Sequence, residues 1–269
     1  DAVDLRLPGH CGEAMVRRLN FFDRHVVKQE GADVHPGVQR LSVACACGGP
    51  EQLWLGEKSG ELRRLDRQFA LSQPLQVFDR ELIDVRVAQD RERLVALGLD
   101  NSTSSGVTKY KVYDVRSDGD PVLLAANRVF PPRVPEQPVT CFAVSATLNL
   151  IAVGVRSGAT YLFRGKDLSQ DKPTPLAIGE EGDPVLGVHF LEQRKRTVLF
   201  VCSASSIRSW VVQQDEDAEV RQLLNDPAGG AVERCSCVFP TINALLVAKG
   251  DAIFAYDPDE GNMSAMPLD

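Results

Sequence analysis

One unit recurs five times along this 269-residue chain, and it restricts the fold more than any single motif does. Each copy opens on a short alternating apolar run. A second apolar run follows and ends on a small residue. A turn then leads to a third run that closes on an aromatic residue or Leu. The three runs fall at 41–45, 53–56 and 62–66 in the first copy, and at 83–87, 94–98 and 110–114 in the second. They fall at 139–144, 150–154 and 160–163 in the third, at 185–190, 198–201 and 207–210 in the fourth, and at 232–238, 244–248 and 252–257 in the fifth.

Alternation with a period of two marks strands that bury one face. The equivalent small positions Gly56, Gly98, Gly154, Cys202 and Ala248 lie 42 to 56 residues apart. Several strands repeating at that spacing are the signature of propeller blades. Gly56 with Gly60, and Gly154 with Gly158, frame tight turns between the second and third runs, where a hairpin needs a positive φ. In the second copy a Ser-rich loop over 100–106 takes the place of that turn. Pro-containing joins at 130–135 and 172–175 read as surface loops.

The fold expected is therefore all-β: a divergent, WD40-like β-propeller with about five blades, near 38–70, 80–116, 137–166, 183–213 and 231–258, and an extra strand at 16–28. Residues 1–269 then form the N-terminal part of one propeller domain, its ring completed by sequence beyond Asp269. The Gly-His and Trp-Asp dipeptides of WD40 blades are absent. Leu65-Asp66, Tyr113-Asp114 and Tyr256-Asp257 stand at the corresponding strand ends.

A formal net charge of −7 argues against nucleic acid as a partner, since phosphate binding calls for a basic face. The clusters Arg63, Arg64, Arg67 and Arg194, Lys195, Arg196 read as solvated turns or edges, and the acidic run at 213–219 as a solvated loop. Seven cysteines, an odd number, sit mostly inside apolar runs, which suits free thiols acting as small hydrophobes rather than a disulfide framework. Cys45-x-Cys47 and Cys235-x-Cys237 lack the further ligands of a zinc site. No apolar stretch is long enough to span a bilayer as a helix, and residues 1–10 carry no secretion signal. The sequons at Asn101 and Asn262 read as chance matches.

Catalytic constellations are not found. The four histidines are His10, His25, His35 and His189, and His189, in an apolar run, reads as a satisfied core histidine. Gly165-Lys166 has the wrong spacing for a phosphate loop, with Asp167 where Ser or Thr would bind magnesium. The stretch 257–261 is acidic without the ligand spacing of a calcium loop. Catalytic, cofactor-binding and metal residues are all read as none, and no small-molecule substrate is expected.

Several strings resemble one family in its own order. The run 17–24, Arg-Arg-Leu-Asn-Phe-Phe-Asp-Arg, is similar to the opening strand of the vacuolar protein sorting-associated protein 11 family. The run 149–158, followed by Tyr161-Leu162-Phe163-Arg164-Gly165 and 167–172, resembles its most recognisable blade. Tyr256-Asp257-Pro258-Asp259 resembles a later blade ending. Lys166, where an acidic residue is expected, and Cys202, where Thr or Val is expected, depart from the pattern. The resemblance implies an N-terminal propeller, with an α-solenoid and a zinc-binding RING domain elsewhere in the family's chains. It also implies a non-enzymatic scaffold in the HOPS and CORVET complexes, which tether endosomal, lysosomal and vacuolar membranes before fusion. Expected partners are other tethering-complex subunits, with membrane reached only through them and a cytoplasmic, peripheral location. A scaffold of a vesicle coat or ciliary transport complex is the alternative, and a propeller enzyme with a cofactor in its channel a third reading.

Overall fold

The computed structural model describes residues 41–49, 52–66, 70–88, 92–101, 106–116, 119–179, 181–227, 230–250, 252–258 and 263–267. All belong to one compact unit, Leu41–Asp269. The strand expected at 16–28, together with Cys11, His10, His25, His35 and Arg67, lies outside the described residues.

Five four-stranded antiparallel sheets follow one another along the chain, each a simple meander. The first holds β1 (Val43–Gly49), β2 (Gln52–Glu57), β3 (Glu61–Asp66) and β4 (Leu75–Gln76). The second holds β5 (Glu81–Ala88), β6 (Arg93–Asp100), β7 (Val107–Asp114) and β8 (Val122–Arg128). The third holds β9 (Val139–Val144), β10 (Leu150–Val155), β11 (Thr160–Arg164) and β12 (Leu176–Ile178). The fourth holds β13 (Val185–Glu192), β14 (Thr197–Ser203), β15 (Ile207–Val212) and β16 (Arg221–Asp226). The fifth holds β17 (Ser236–Phe239), β18 (Ala244–Lys249), β19 (Ala252–Tyr256) and β20 (Met263–Pro267). Among the described residues the only helical element is a 3-10 turn at Pro240–Ile242.

Each sheet has one strand more than the three runs read from the sequence. Among the described residues β4, β8, β12 and β16 are outermost in their sheets, and their side chains are mostly exposed or half-buried, without strict alternation. The join at 172–175 accordingly lies inside the third sheet, between β11 and β12, rather than between sheets.

The core is not one central mass. It is divided among the contacts between successive sheets, which is the packing of propeller blades. Trp54 and Leu62 of the first sheet pack with Leu94 and Ala96 of the second. Val95 and Leu97 turn the other way and meet Ile151, Val153 and Phe163 of the third. Leu150 and Ala152 meet Leu199, Val201 and Trp210 of the fourth. Val198 and Phe200 meet Leu245 and Val247 of the fifth. The second strands β6, β10 and β14 are thus buried on both faces, which explains why they are continuous apolar runs. Two edge-to-face aromatic pairs join the second and third sheets: Tyr110 with Phe163 at 5.0 Å and Phe130 with Tyr161 at 5.1 Å. Such pairs add roughly 0.5–1.5 kcal/mol each beyond area burial.

The turn glycines behave as the sequence reading requires. Gly60, Gly106 and Gly158 have φ of 86°, 83° and 107°. Gly56 and Gly154, which end two of the second runs, are required by close packing. A Cβ on Gly56 would lie 2.4 Å from Leu82 on the next sheet and 2.6 Å from its own sheet's Cys45 Sγ. A Cβ on Gly154 would lie 2.6 Å from Val185 on the next sheet and 2.4 Å from Cys141 Sγ. The glycine makes room for the first strand of the following blade and for a cysteine directly opposite.

Candidate functional site

The first strands β1, β5, β9, β13 and β17 line a cavity of about 960 Å³. A recurrent irregularity shapes it. In the first four sheets the pairing of the first and second strands slips by one residue, leaving Ala44, Ile83, Thr140 and Leu186 as the extra residues. All four line the cavity. β-Bulges of this kind re-aim side chains. In the fifth sheet Arg234 precedes Cys235, whose carbonyl accepts from Ala248 N–H (2.8 Å), and Arg234 takes a left-handed φ of 61° and lines the cavity too.

Past the bulges the cavity wall is more polar than the apolar first runs imply. Asp84 and Arg86, two apart on β5, share a face, and Arg86 Nη1 donates to Asp84 Oδ1 over 2.7 Å. The same Asp84 oxygen accepts Val85 N–H (2.8 Å), and Arg86 also donates to Val85 O (2.9 Å). Burial raises the Asp84 carboxyl above its ordinary range, opposed by the charge of Arg86 and the Val85 hydrogen bond. The period-two spacing of two charged residues inside an apolar strand was the available signal for this pair.

His189 on β13 lies in the same wall, its Nε2 2.8 Å from Ser236 Oγ on β17. Burial, assisted by the Arg86 charge, lowers its pKa from 6.5 to about 4, so the imidazole is neutral at physiological pH. The histidine is satisfied by a partner, as expected, but it faces the cavity rather than the inter-sheet core. Burial pushes the thiols of Cys45 and Cys141 up to about 12, and likewise that of Cys47, which packs against the core between the first two sheets. Thiols held protonated are poor nucleophiles and poor metal ligands. No group of three or more His, Cys, Asp or Glu able to hold a metal occurs among the described residues. The arrangement is one of binding groups, an ion pair and a neutral imidazole, fixed by their own neighbours.

The remaining motifs also find partners. Arg63 pairs with Glu57 (2.5 Å) and Glu61 (3.3 Å). Arg194 and Lys195 occupy the exposed turn between β13 and β14, and Arg196 Nε donates to Gln193 Oε1 (2.6 Å). At Gly165-Lys166 the local carboxylates accept backbone donors, Asp167 from Ser169 N–H (2.9 Å) and Asp171 from Asp167 N–H (3.0 Å), which makes a turn and not a phosphate cradle. The acidic run is ordered by a residue from another sheet. Arg164, at the end of β11 and only 7% exposed, donates to the carbonyls of Asp215 (2.9 Å), Ala218 (2.7 Å) and Glu216. With the carbonyls turned inward, residues 215–217 remain exposed. Of the stretch 257–261, residues 259–261 lie outside the described residues, as does Asn262.

The family model described as PEP5/VPS11 N-terminal matches residues 17–266. Curated relatives named vacuolar protein sorting-associated protein 11 homolog are 26% identical in Homo sapiens over 266 residues and 26% identical in Caenorhabditis elegans over 257 residues. The alignments cover 91% of this chain in both cases, but 27% and 25% of the relatives. The Dictyostelium discoideum homolog is 23% identical, over 90% of this chain and 25% of its own. The chain therefore spans about a quarter of the length of the relatives it matches. A functionally unknown protein from Desulfotomaculum acetoxidans superposes with a TM-score of 0.64 at 13% identity, covering 84% of this chain and 69% of that one. The computationally designed Ika8 protein gives 0.57 at 12% identity, covering 82% and 60%. At such identities the likeness is one of fold.

Proposed function

The chain belongs to the PEP5/VPS11 N-terminal family, and from that membership we propose that it acts as a non-enzymatic protein-interaction scaffold in a complex that tethers endosomal, lysosomal or vacuolar membranes. The match over residues 17–266 carries this reading, because it takes in all five sheets. In it the chain is a propeller portion whose ring is completed by further sequence. Its partners are other subunits of HOPS- or CORVET-type assemblies, and membranes are reached through them. Among the described residues no helix is long and apolar enough to cross a membrane, which is consistent with peripheral attachment. The thiols lining the inner cavity, held protonated by burial, are poor nucleophiles, which favours a binding role there.

The test is affinity purification from the native cells, followed by mass spectrometry. The baits are any longer native product containing this sequence and the same product lacking residues 1–269. Recovery of tethering-complex subunits is expected, with some lost on deletion. Recovery of coat or ciliary transport subunits in their place overturns the assignment.

A further inference from the structure

The outer strands of the five sheets are not alike. β4 and β12 have only two and three residues, and β16 presents the polar Arg221, Gln222 and Asn225. β8 has seven residues and, among the described residues, no strand paired to its outer edge. Its first three, Val122, Leu123 and Leu124, are 57%, 50% and 40% exposed, and they make up three of the eight exposed large apolar side chains among the described residues. Proteins ordinarily blunt a long edge strand with charge or proline, because an open apolar edge is a template for pairing. β8 carries neither device over Val122–Ala126.

A cleft of about 550 Å³ adjoins this strand. It is lined by four consecutive β8 residues, 124–127, and by the turn 169–172 of the third sheet. Arg93 of β6 and Asp114 of β7 line it as well, so the cleft lies at one end of the second sheet, beside that turn, and reaches the outer strand β8 at 124–127. The pairing of β7 with β8 slips between Val112 and Tyr113, which leaves Leu124 as the unpaired residue at the cleft.

The charge of the cleft opposes that of the whole chain. Arg93 and Arg116 both bear on the single carboxylate of Asp114, at 3.3 and 2.5 Å. Hydrogen bonds from Arg116, with the charge of Arg93, hold that carboxyl at about 2. The Nε of Arg93 is buried and has no hydrogen-bond partner. Lys172 adds a further cation and Asp171 a further carboxylate, which accepts Asp167 N–H. Three cations against two carboxylates leave one positive charge in excess along the cleft, in a chain of net charge −7.

We propose that the edge of β8 and this cleft form a docking site for an extended peptide segment of a partner protein, apolar in its centre and acidic at its flanks. The segment adds as a fifth strand to the second sheet, its backbone pairing with β8, its apolar side chains covering Val122–Leu124 and its acids meeting Arg116 and Lys172. Main-chain pairing supplies affinity and the pockets supply specificity, as in strand addition generally.

The experiment uses a fluorescein-labelled peptide, Asp-Glu-Leu-Val-Leu-Glu-Asp, titrated by anisotropy into the 269-residue chain, with hydrogen exchange as a second readout. Two comparison peptides replace the acids by Lys or methylate alternate backbone nitrogens. The acidic peptide should saturate and slow amide exchange along β8. The Lys peptide, and the Arg116→Glu/Lys172→Glu variant, should each bind about tenfold more weakly or worse. The methylated peptide should lose binding. Circular dichroism of the variant keeps misfolding separate from lost contact. No binding by the acidic peptide, equal binding by the Lys peptide, or protection elsewhere overturns the proposal. So does concentration-dependent self-association that protects β8, which would make a second copy of this chain the occupant. The proposal extends the scaffold reading and fails separately from it: peptide binding is read on the purified chain, whatever complex the cells return.

Discussion

The Nε2 of His189 stands 2.8 Å from the Oγ of Ser236, a hydrogen bond that ties the first strand of the fourth sheet to the first strand of the fifth across the wall of the inner cavity. Gly187 makes this possible. A Cβ there would lie 2.5 Å from the same hydroxyl and 3.1 Å from the same imidazole nitrogen.

The pair gives a pH dependence with a definite sign. The folded-state pKa of His189, about 4, is below its ordinary 6.5, so between those values the unfolded chain takes up a proton that the native chain refuses. Stability from this residue is complete above pH 6.5 and falls as pH drops toward 4, by up to about 3 kcal/mol. Urea unfolding of the native sequence and of His189→Gln, each across pH 4 to 7, checks it. The difference between the two curves should steepen over that window, and a parallel pair of curves would contradict the assignment.

The glycine opposite Cys141 can be tested by filling it. Gly154→Ala places a methyl 2.4 Å from Cys141 Sγ and 2.6 Å from Val185, so it should cost about 1–3 kcal/mol of stability through overpacking. Adding Cys141→Ala should restore part of the loss but not all, since Val185 stays in place. Thermal or urea midpoints of the three variants measure both steps.

Arg164 orders the acidic loop of the next sheet through three backbone carbonyls. Arg164→Met removes those donors while keeping an apolar stem, and should cost about 1.5–3 kcal/mol. Limited digestion with a glutamate-specific protease should then cut at Glu216 or Glu219 faster than in the native chain. Arg164→Lys should rescue little, because a single ammonium cannot reproduce the guanidinium fork.

Asp100 accepts from Lys109 and Lys111, each at 3.0 Å, and Lys111 also donates to Val77 O (2.6 Å) with its nitrogen 4.4 Å from the centre of the Phe78 ring. Burial disfavours the Asp100 carboxylate, yet the lysine hydrogen bonds outweigh it and hold the carboxyl below its ordinary range. Asp100→Asn should cost about 1–3 kcal/mol at neutral pH by leaving two half-buried lysines without their counter-charge. That penalty should shrink as pH falls below the ordinary carboxylate range, where the unfolded chain takes up the proton first and the native carboxylate follows only at lower pH.

The repeat was legible because each buried strand obeys a periodicity that its own sequence carries. The runs at 94–98, 150–154 and 198–201 are apolar throughout because both faces of those strands meet neighbouring sheets, and the turns at Gly60 and Gly158 are fixed by φ alone. Of the strings that resemble the PEP5/VPS11 family, 149–158 and 161–165 lie on β10, β11 and the turn between them, so local periodicity carried that part of the resemblance.

What the chain could not announce lies where residues from different sheets meet. The outer strands β4, β8, β12 and β16 are mostly exposed or half-buried and carry no strict period. The ion pair of Asp84 with Arg86 was spaced for one face, but only the assembled first strands decide that this face lines a cavity and not solvent. His189 and Ser236 are 47 positions apart, and Arg164 and the loop it gathers more than 50. Local sequence sets strand, turn and face. Tertiary structure alone sets which faces meet, because those contacts depend on the stacking of one sheet on the next.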